Sequence, residues 1–444
     1  MYLCQIMKRV LIITYYWPPA GGSGVQRWVK FAKYLPSLGW QPVVYTPENP
    51  DLGSIDESLL KEIPHEAEII KRPICEPYGI YRKLTGNKGQ IKVEANPGNG
   101  GKGSFLKKVS LWIRSNFFMP DPRCLWIRPS VRFLKKYLKE HPVDVIVSTG
   151  PPQSMHLIAR KVSLATGIPW VADFRDPWTK IFYFKHLKLS KWASKKHHQL
   201  EQKVLDDATA VVAVSPLVQN DFAQMTSTPV HLVTNGYDES DYLENVTSDG
   251  NFNVVHTGLL TAEGNPVELW KALGRKCQDD RSFSEKFRLI LAGKTDETVL
   301  DSIREAGLSD HLTDHGYIDH GKAVLLQRTA SVLILPIREE PETKAILPGK
   351  LFEYLAARRP VLGVGTGEGA MATVLQETQA GKIFDWDDSA GISEYIDFLW
   401  NETSAGNSLE QNADIEKYSR RMTSRQMVGI FEELSAKTAK ITDE

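Results

Sequence analysis

The sequence predicts an α/β protein of two consecutive halves, each a parallel sheet covered by helices. Three observations carry this. The chain has 444 residues, too many for one typical core and suited to two of about 200 each. It opens with a buried-strand pattern, a glycine-rich turn and an amphipathic helix, the usual start of a nucleotide-handling α/β unit. The strand, loop and helix rhythm then restarts near Phe252, after a polar stretch from Asn235 to Asn251.

The charges divide along the same line. Lys+Arg and Asp+Glu both total 54, yet residues 1–235 hold 32 basic and 18 acidic residues, a net +14 that the remainder balances with −14. A basic half joined to an acidic half points to different partners for each. Cys4, Cys75, Cys124 and Cys277 have no paired spacing, which argues against a disulfide framework or zinc site and fits a reducing compartment. After Lys8-Arg9 only about eight mostly apolar residues precede Pro18-Pro19, short for a signal segment. No stretch approaches the roughly 20 apolar residues that span a bilayer.

In order, Arg9 to Tyr16 reads as a buried strand. Trp17-Pro18-Pro19-Ala20-Gly21-Gly22-Ser23-Gly24 is a tight turn, and Val25, Trp28, Val29 and Ala32 mark one helical face. A dinucleotide fingerprint fits poorly, because Arg27 stands at the third glycine position. Gly21 and Gly22 would let the backbone approach a phosphate closely; the plain alternative is a turn. Val43 to Thr46 is the second strand. Residues 75–140 then form a basic insertion, with 14 Lys/Arg against four Asp/Glu. Within it Asn96 to Ser104 is a glycine-rich loop, and Phe105, Val109, Trp112, Ile113 and Phe117 form an aromatic helical face. That face suits either an anionic membrane surface or packing on its own domain; nothing resembles a nucleic-acid module. Val143 to Ser148, the helix Gln153 to Ala165 and the strand Ile168 to Phe174 resume the rhythm. Asp173-Phe174-Arg175-Asp176-Pro177-Trp178 follows, placing charge at the carboxyl end of a buried strand, where such folds bind ligands. The structural alternative is an Arg–Asp pair pinning the loop. Residues 180–203 hold seven Lys against one Glu, a second basic surface. His197 and His198 are adjacent and point apart on a helix, a poor metal pair. Ala210 to Val214 and His231 to Val233 close the first half, with the boundary at residue 235.

The second half, residues 236–412, has strands at Phe252 to His256, Arg288 to Ala292, Val332 to Pro336 and Pro360 to Val364. Thr257-Gly258, Gly293-Lys294 and His315-Gly316-Tyr317-Ile318 are the loops between elements. Pro348-Gly349-Lys350-Leu351-Phe352-Glu353-Tyr354 opens a helix with Leu351, Tyr354 and Leu355 on one face. Its start puts Lys350 and Glu353 beside unpaired backbone N–H groups. Such an end can hold a diphosphate, and a neighbouring carboxylate can take sugar hydroxyls. Asp385-Trp386-Asp387 has the spacing of a metal–nucleotide site in the wrong setting, so no metal site is expected. Residues 413–444 carry a final amphipathic helix over 413–436.

Four pieces together, Pro18 to Gly24, Asp173 to Trp178, Asn235-Gly236-Tyr237-Asp238 and Pro348 to Leu362, resemble GT-B glycosyltransferases, in particular the bacterial retaining family-four group of surface polysaccharide assembly. The resemblance covers nearly the whole chain. It implies two Rossmann-like domains facing a cleft, with the final helix crossing back to the first. The nucleotide-sugar donor would lie on the second domain and a glycan or lipid-linked acceptor on the first. Glu353 would hold the ribose. Pro348, Gly349, Lys350 and Leu351 would hold the diphosphate, with Gly21 and Gly22 approaching it. Tyr317 and Ile318 would meet the base. Arg175 and Asp176 would be the catalytic pair. Retention by a front-face path needs no side-chain nucleophile, no cofactor and no metal. The implied location is cytoplasmic, peripheral at the inner face of the membrane.

This chain departs from the pattern in three places. Leu259-Leu260 follows Gly258 where relatives carry Arg and Lys; Ala345 stands eight positions before Glu353, where many carry Glu; Arg175 and Asp176 replace a His. Lys294 and Lys350 are the candidate replacement cations. The departures keep two alternatives open. One is a nucleotide-sugar epimerase of the same fold, using His256 and Glu339-Glu340. The other is a silent nucleotide-sugar-binding scaffold.

Overall fold

The computed structural model describes residues 7–76, 112–242, 249–407 and 414–442, together with 246 and 409. The sequence readings on Asn96 to Ser104, Phe105 and Val109 lie outside these residues. The chain divides into two compact units: residues 1–234 with 423–444, and residues 235–422.

The first unit holds a seven-stranded parallel sheet: β1 (Lys8–Ile13), β2 (Trp40–Pro47), β3 (Glu68–Arg72), β4 (Val145–Gly150), β5 (Trp170–Phe174), β6 (Ala210–Ala213) and β7 (Val230–Leu232). Their order across the sheet is β3-β2-β1-β4-β5-β6-β7. Strand order therefore reverses between β1 and β4, which pair with Val10 opposite Val145. Its helices are α1 (Ser23–Tyr34), α2 (Cys124–Glu140), α3 (Ser154–Thr166), α4 (Lys191–Asp207) and α5 (Pro216–Met225). The buried face of α1 is the one its spacing marks: Val25, Trp28, Val29 and Ala32 are all fully buried. Each large apolar side chain so buried contributes about 1.5–3 kcal/mol.

The second unit holds a six-stranded parallel sheet in the order β10-β9-β8-β11-β12-β13. These are β8 (Phe252–Thr257), β9 (Phe287–Ala292), β10 (Leu312–Asp314), β11 (Val332–Pro336), β12 (Val361–Val364) and β13 (Gly381–Phe384). Here the reversal falls between β8 and β11. Its helices are α6 (Val267–Asp279), α7 (Arg281–Lys286), α8 (Glu297–Glu305), α9 (His320–Thr329), α10 (Gly349–Ala357), α11 (Ala370–Thr378) and α12 (Ser389–Ser404). Both sheets thus follow the doubly wound strand order.

The last helix, α13, spans Arg420–Thr442 and starts seven residues later than its sequence pattern suggested. A short 3-10 turn at Glu416–Tyr418 comes first, ending at Ser419 in extended backbone. Met427, Ile430, Phe431 and Leu434 of α13 join the core of the first unit. There Phe431 meets Trp40 edge-on at 5.2 Å, and the Trp40 indole donates to Glu432 at 2.9 Å. The two segments flanking the second unit run side by side within it. Tyr237 N donates to Tyr418 O, and Arg420 N to Tyr237 O. This explains the glycine of Asn235-Gly236-Tyr237-Asp238, since a Cβ on Gly236 would lie 2.3 Å from Tyr418 O.

Candidate active site

In the second unit the site grows from the carboxyl end of β8. Gly258 follows that strand at φ +137°, open to glycine and strained for other residues. A Cβ there would sit 3.5 Å from Lys350 Cε and 3.8 Å from His256 Nε2, so the loop lies against both side chains. α10 begins beside it. Pro348 at its N-cap offers no side-chain hydrogen bond, and Leu351 N donates to Pro348 O, which leaves the N–H groups of Gly349 and Lys350 for an external acceptor. Space is open where a Gly349 side chain would stand.

Lys350 Nζ and Glu353 Oε2 pair at 2.7 Å, with 32% and 15% of their side chains exposed. Glu353 Oε2 also accepts from Gln327 Nε2 at 2.9 Å. On the far side of the helix, Leu351 and Tyr354 are fully buried, and the Tyr354 hydroxyl accepts from Thr257 N at 2.9 Å. One face of α10 is thereby fixed in the core, and the other presents a cation and a carboxylate.

Two histidines flank this pair. His256 is 4% exposed and its Nδ1 lies 3.0 Å from Ile334 O. Burial keeps its pKa below the ordinary value, and Lys350 pushes the same way. His320 begins α9 and lies 3.1 Å from Asp241 Oδ2. The Asp241 bond raises the His320 pKa against the effect of burial, and Glu353 adds to the rise. Tyr317 precedes α9 on a loop and is 82% exposed; Ile318 is half-buried. Lys294 is exposed after β9, and its carbonyl accepts from Leu260 N.

In the first unit the matching position is built differently. Gly22 caps α1 at φ +96°, a conformation that glycine adopts freely. Gly21 is packed against its own unit: its N–H donates to Ser54 O, and a Cβ would meet Ser54 Oγ at 3.0 Å. Arg175 donates to Gly24 O at 2.7 Å, to Gly150 O at 3.4 Å and to Pro151 O. It therefore ties the first turn of α1 to the end of β4 and the loop that follows. Asp176 is half-buried; burial pushes its carboxyl up while Arg175 opposes the rise. Arg175 thus pins this region through backbone carbonyls, not as the Arg–Asp pair expected from the sequence.

Asp173 has another partner, which the sequence reading did not find. Its carboxylate pairs with Arg27 at 2.8 Å, the two side chains 0% and 1% exposed, and accepts from Trp28 Nε1 at 2.7 Å. Arg27 also donates to Val233 O and Thr234 O, both at 2.8 Å. The charge at the third glycine position was the available signal: a buried arginine on a helix face requires a buried acceptor. At the carboxyl ends of β1 and β2, a cavity of about 230 Å³ is lined by Trp17, Pro18, Pro19, Thr46, Pro47 and Lys71, among others.

Exposed apolar side chains, three of them aromatic, occur in the basic segments of this unit. Trp112, Ile113, Phe117 and Trp192 are 45%, 42%, 62% and 59% exposed. Asn116 Oδ1 accepts from Ser190 N at 2.7 Å, fastening the helical turn 112–117 to the start of α4. Lys185, Lys188, Lys191 and Lys195 are exposed nearby in sequence. No helix among the described residues is long and apolar enough to cross a membrane.

Two doubly wound units make the two-domain GT-B fold, which solved glycosyltransferases share. Residues 97–241 match the family described as Glycosyltransferase Family 4, and residues 251–402 match Glycosyl transferases group 1. The chain is accordingly a family-four-type glycosyltransferase. No curated protein matches it. Among solved structures it is similar to a glycosyltransferase from Rickettsia africae, with a TM-score of 0.62, 14% identity and coverage of 96% of this chain and 98% of that one. It is also similar to WaaG, a glycosyltransferase involved in lipopolysaccharide biosynthesis (0.52, 13%, 97% and 99%). A third is an S. aureus TarM variant in complex with fondaparinux, α-GlcNAc-glycerol and UDP (0.57, 10%, 96% and 100%). At these identities the structural likeness speaks for the fold alone.

Proposed function

We propose that the protein transfers a sugar, with retention and without a metal, from a nucleoside diphosphate sugar to a glycan or lipid-linked acceptor in surface polysaccharide assembly. The observation that carries this is the Lys350–Glu353 pair at the uncapped start of α10, beside Gly258. Breaking the sugar–phosphate bond builds negative charge on the leaving diphosphate. The N–H groups of Gly349 and Lys350 and the Lys350 ammonium supply preorganised positive charge for it. Glu353 accepts the ribose hydroxyls, and the loop at Tyr317 and Ile318 meets the base. Gly21 and Gly22 are assigned to the diphosphate by family resemblance, and Lys294 remains a second candidate cation. The leaving phosphate itself assists the acceptor hydroxyl, so no cofactor is required. The Trp17 cavity suits an acceptor sugar, whose C–H face packs on indole and proline rings.

The test is a panel of nucleotide sugars offered to the purified protein, with release of the nucleoside diphosphate as the readout. Transfer or slow donor hydrolysis with one base is expected. Absence of both across the panel, with binding retained, would leave the silent scaffold. Asp176→Asn is expected to lower kcat more than donor affinity; an equal loss of both would reduce Asp176 to a structural role.

The aromatic and basic surface of the first unit suits an anionic membrane at the cytoplasmic face, where the lipid-linked acceptor would reside. Binding to vesicles with anionic lipid is expected to exceed binding to neutral ones, to fall as salt rises, and to weaken on Trp112→Ser with Phe117→Ser. Binding that is absent, or indifferent to salt, would remove this part of the proposal.

A further inference from the structure

A carboxylate that reads a ribose must be held in one orientation, and Lys350 cannot be its permanent holder. The same ammonium is needed by the diphosphate. Gln327 is the other donor. It lies in the last turn of α9, 0% exposed, and its amide is used at both ends. Nε2 donates to Glu353 Oε2 at 2.9 Å and to Thr257 Oγ1 at 2.9 Å. Oε1 accepts from the Tyr242 hydroxyl at 3.1 Å. The amide cannot be turned over, since that would set its carbonyl against a carboxylate that only accepts. Thr257 ends β8, Tyr242 belongs to the 3-10 turn Glu239–Tyr242, and Glu353 lies on α10. One buried amide therefore joins the strand end, the turn and two helices.

Both protein donors to Glu353 converge on Oε2. Among the described residues no hydrogen bond reaches Oε1. We propose that Gln327 is a positioning residue for ribose recognition. It holds Glu353 Oε2 from the core side, so that Oε1 and the remaining lone pair of Oε2 accept the two ribose hydroxyls once Lys350 turns to the diphosphate. Preference for ribonucleotides over deoxyribonucleotides then depends on a residue that touches no ligand. This rests on the nucleotide reading of the site given above.

Calorimetry with UDP, GDP, ADP and CDP identifies the base, and the 2′-deoxy form of that diphosphate is then compared with the ribo form. Wild type is expected to prefer the ribo form by about tenfold, the value of one hydrogen bond to a charged group. Gln327→Leu is expected to reduce that preference to about twofold or less, by weakening the ribo form while leaving the deoxy form unchanged. A folded Gln327→Leu protein with the preference intact, or with both affinities lowered in proportion, overturns the proposal. If that variant does not fold, Thr257→Val serves instead. It removes one of the two amide acceptors and is expected to reduce the same ratio; an unchanged ratio overturns the proposal. Failure of the underlying reading looks different: wild type binds none of the four diphosphates, or binds one with no ribo preference.

Discussion

Glu353→Ala is expected to weaken nucleoside diphosphate binding by about 1–3 kcal/mol, roughly five- to 150-fold, because hydrogen bonds to a partly desolvated carboxylate are lost. Two effects compete. Removing the carboxylate takes away the ribose acceptor, and it also releases Lys350 from the 2.7 Å pair that neutralises it. The pair is only partly buried, and pairs near the surface are worth about 0–1 kcal/mol, so the ribose loss should dominate. The signs separate when the ligand is divided. A bare nucleoside should lose affinity, while inorganic diphosphate should hold or gain. Calorimetry with the three ligands reads this directly. Unchanged nucleoside diphosphate affinity would remove Glu353 from the site.

Arg27→Leu is expected to destabilise the first unit by about 3–5 kcal/mol, the usual cost of stranding one partner of a buried ion pair. Asp173 would lose its counter-charge while remaining 0% exposed. Denaturant unfolding of that unit measures the loss, and a loss below about 1 kcal/mol would mean the pair has no such role. Arg27→Leu combined with Asp173→Val should cost less than Arg27→Leu alone, since no stranded charge remains. The pH dependence should change sign as well. In wild type, burial alone would raise the Asp173 carboxyl. The charge and hydrogen bonds of Arg27, with the Trp28 bond, outweigh burial and hold it below the ordinary range. A depressed carboxyl contributes stability that is present above its unfolded value, about 3.9, and fades as pH falls through the folded one. Without Arg27, burial governs and the carboxyl rises. The variant should then gain stability relative to wild type as Asp173 protonates.

The two sites differ in how much of each is written in the local sequence. α10 was legible because its signals are local. Pro348-Gly349 starts it, Leu351, Tyr354 and Leu355 give it a face, and Lys350 and Glu353 stand three residues apart. The central strands were legible for the same reason, being short apolar runs buried on both sides. β3 and β10 were not. Glu68–Arg72 and Leu312–Asp314 lie at sheet edges, with no fully buried residue in either. The Arg27–Asp173 pair spans 146 positions, and Gln327 reaches Thr257 across 70. No periodicity encodes such meetings; only the fold brings them together. Arg175 offered a different difficulty. Its position at a strand end suits catalysis and loop anchoring equally, and its three backbone acceptors are invisible in the sequence.

The placement of α13 bears on how the chain is completed during synthesis. Residues 235–422 form one uninterrupted stretch, so that unit can close its sheet as soon as its own residues have emerged. The unit that begins earlier cannot. Its core lacks Met427, Phe431 and Leu434 until residues beyond the second unit are made, and Trp40 waits uncovered on the side that Phe431 will pack. The inserted unit therefore matures before its host, the reverse of the usual order for domains made from the N-terminus.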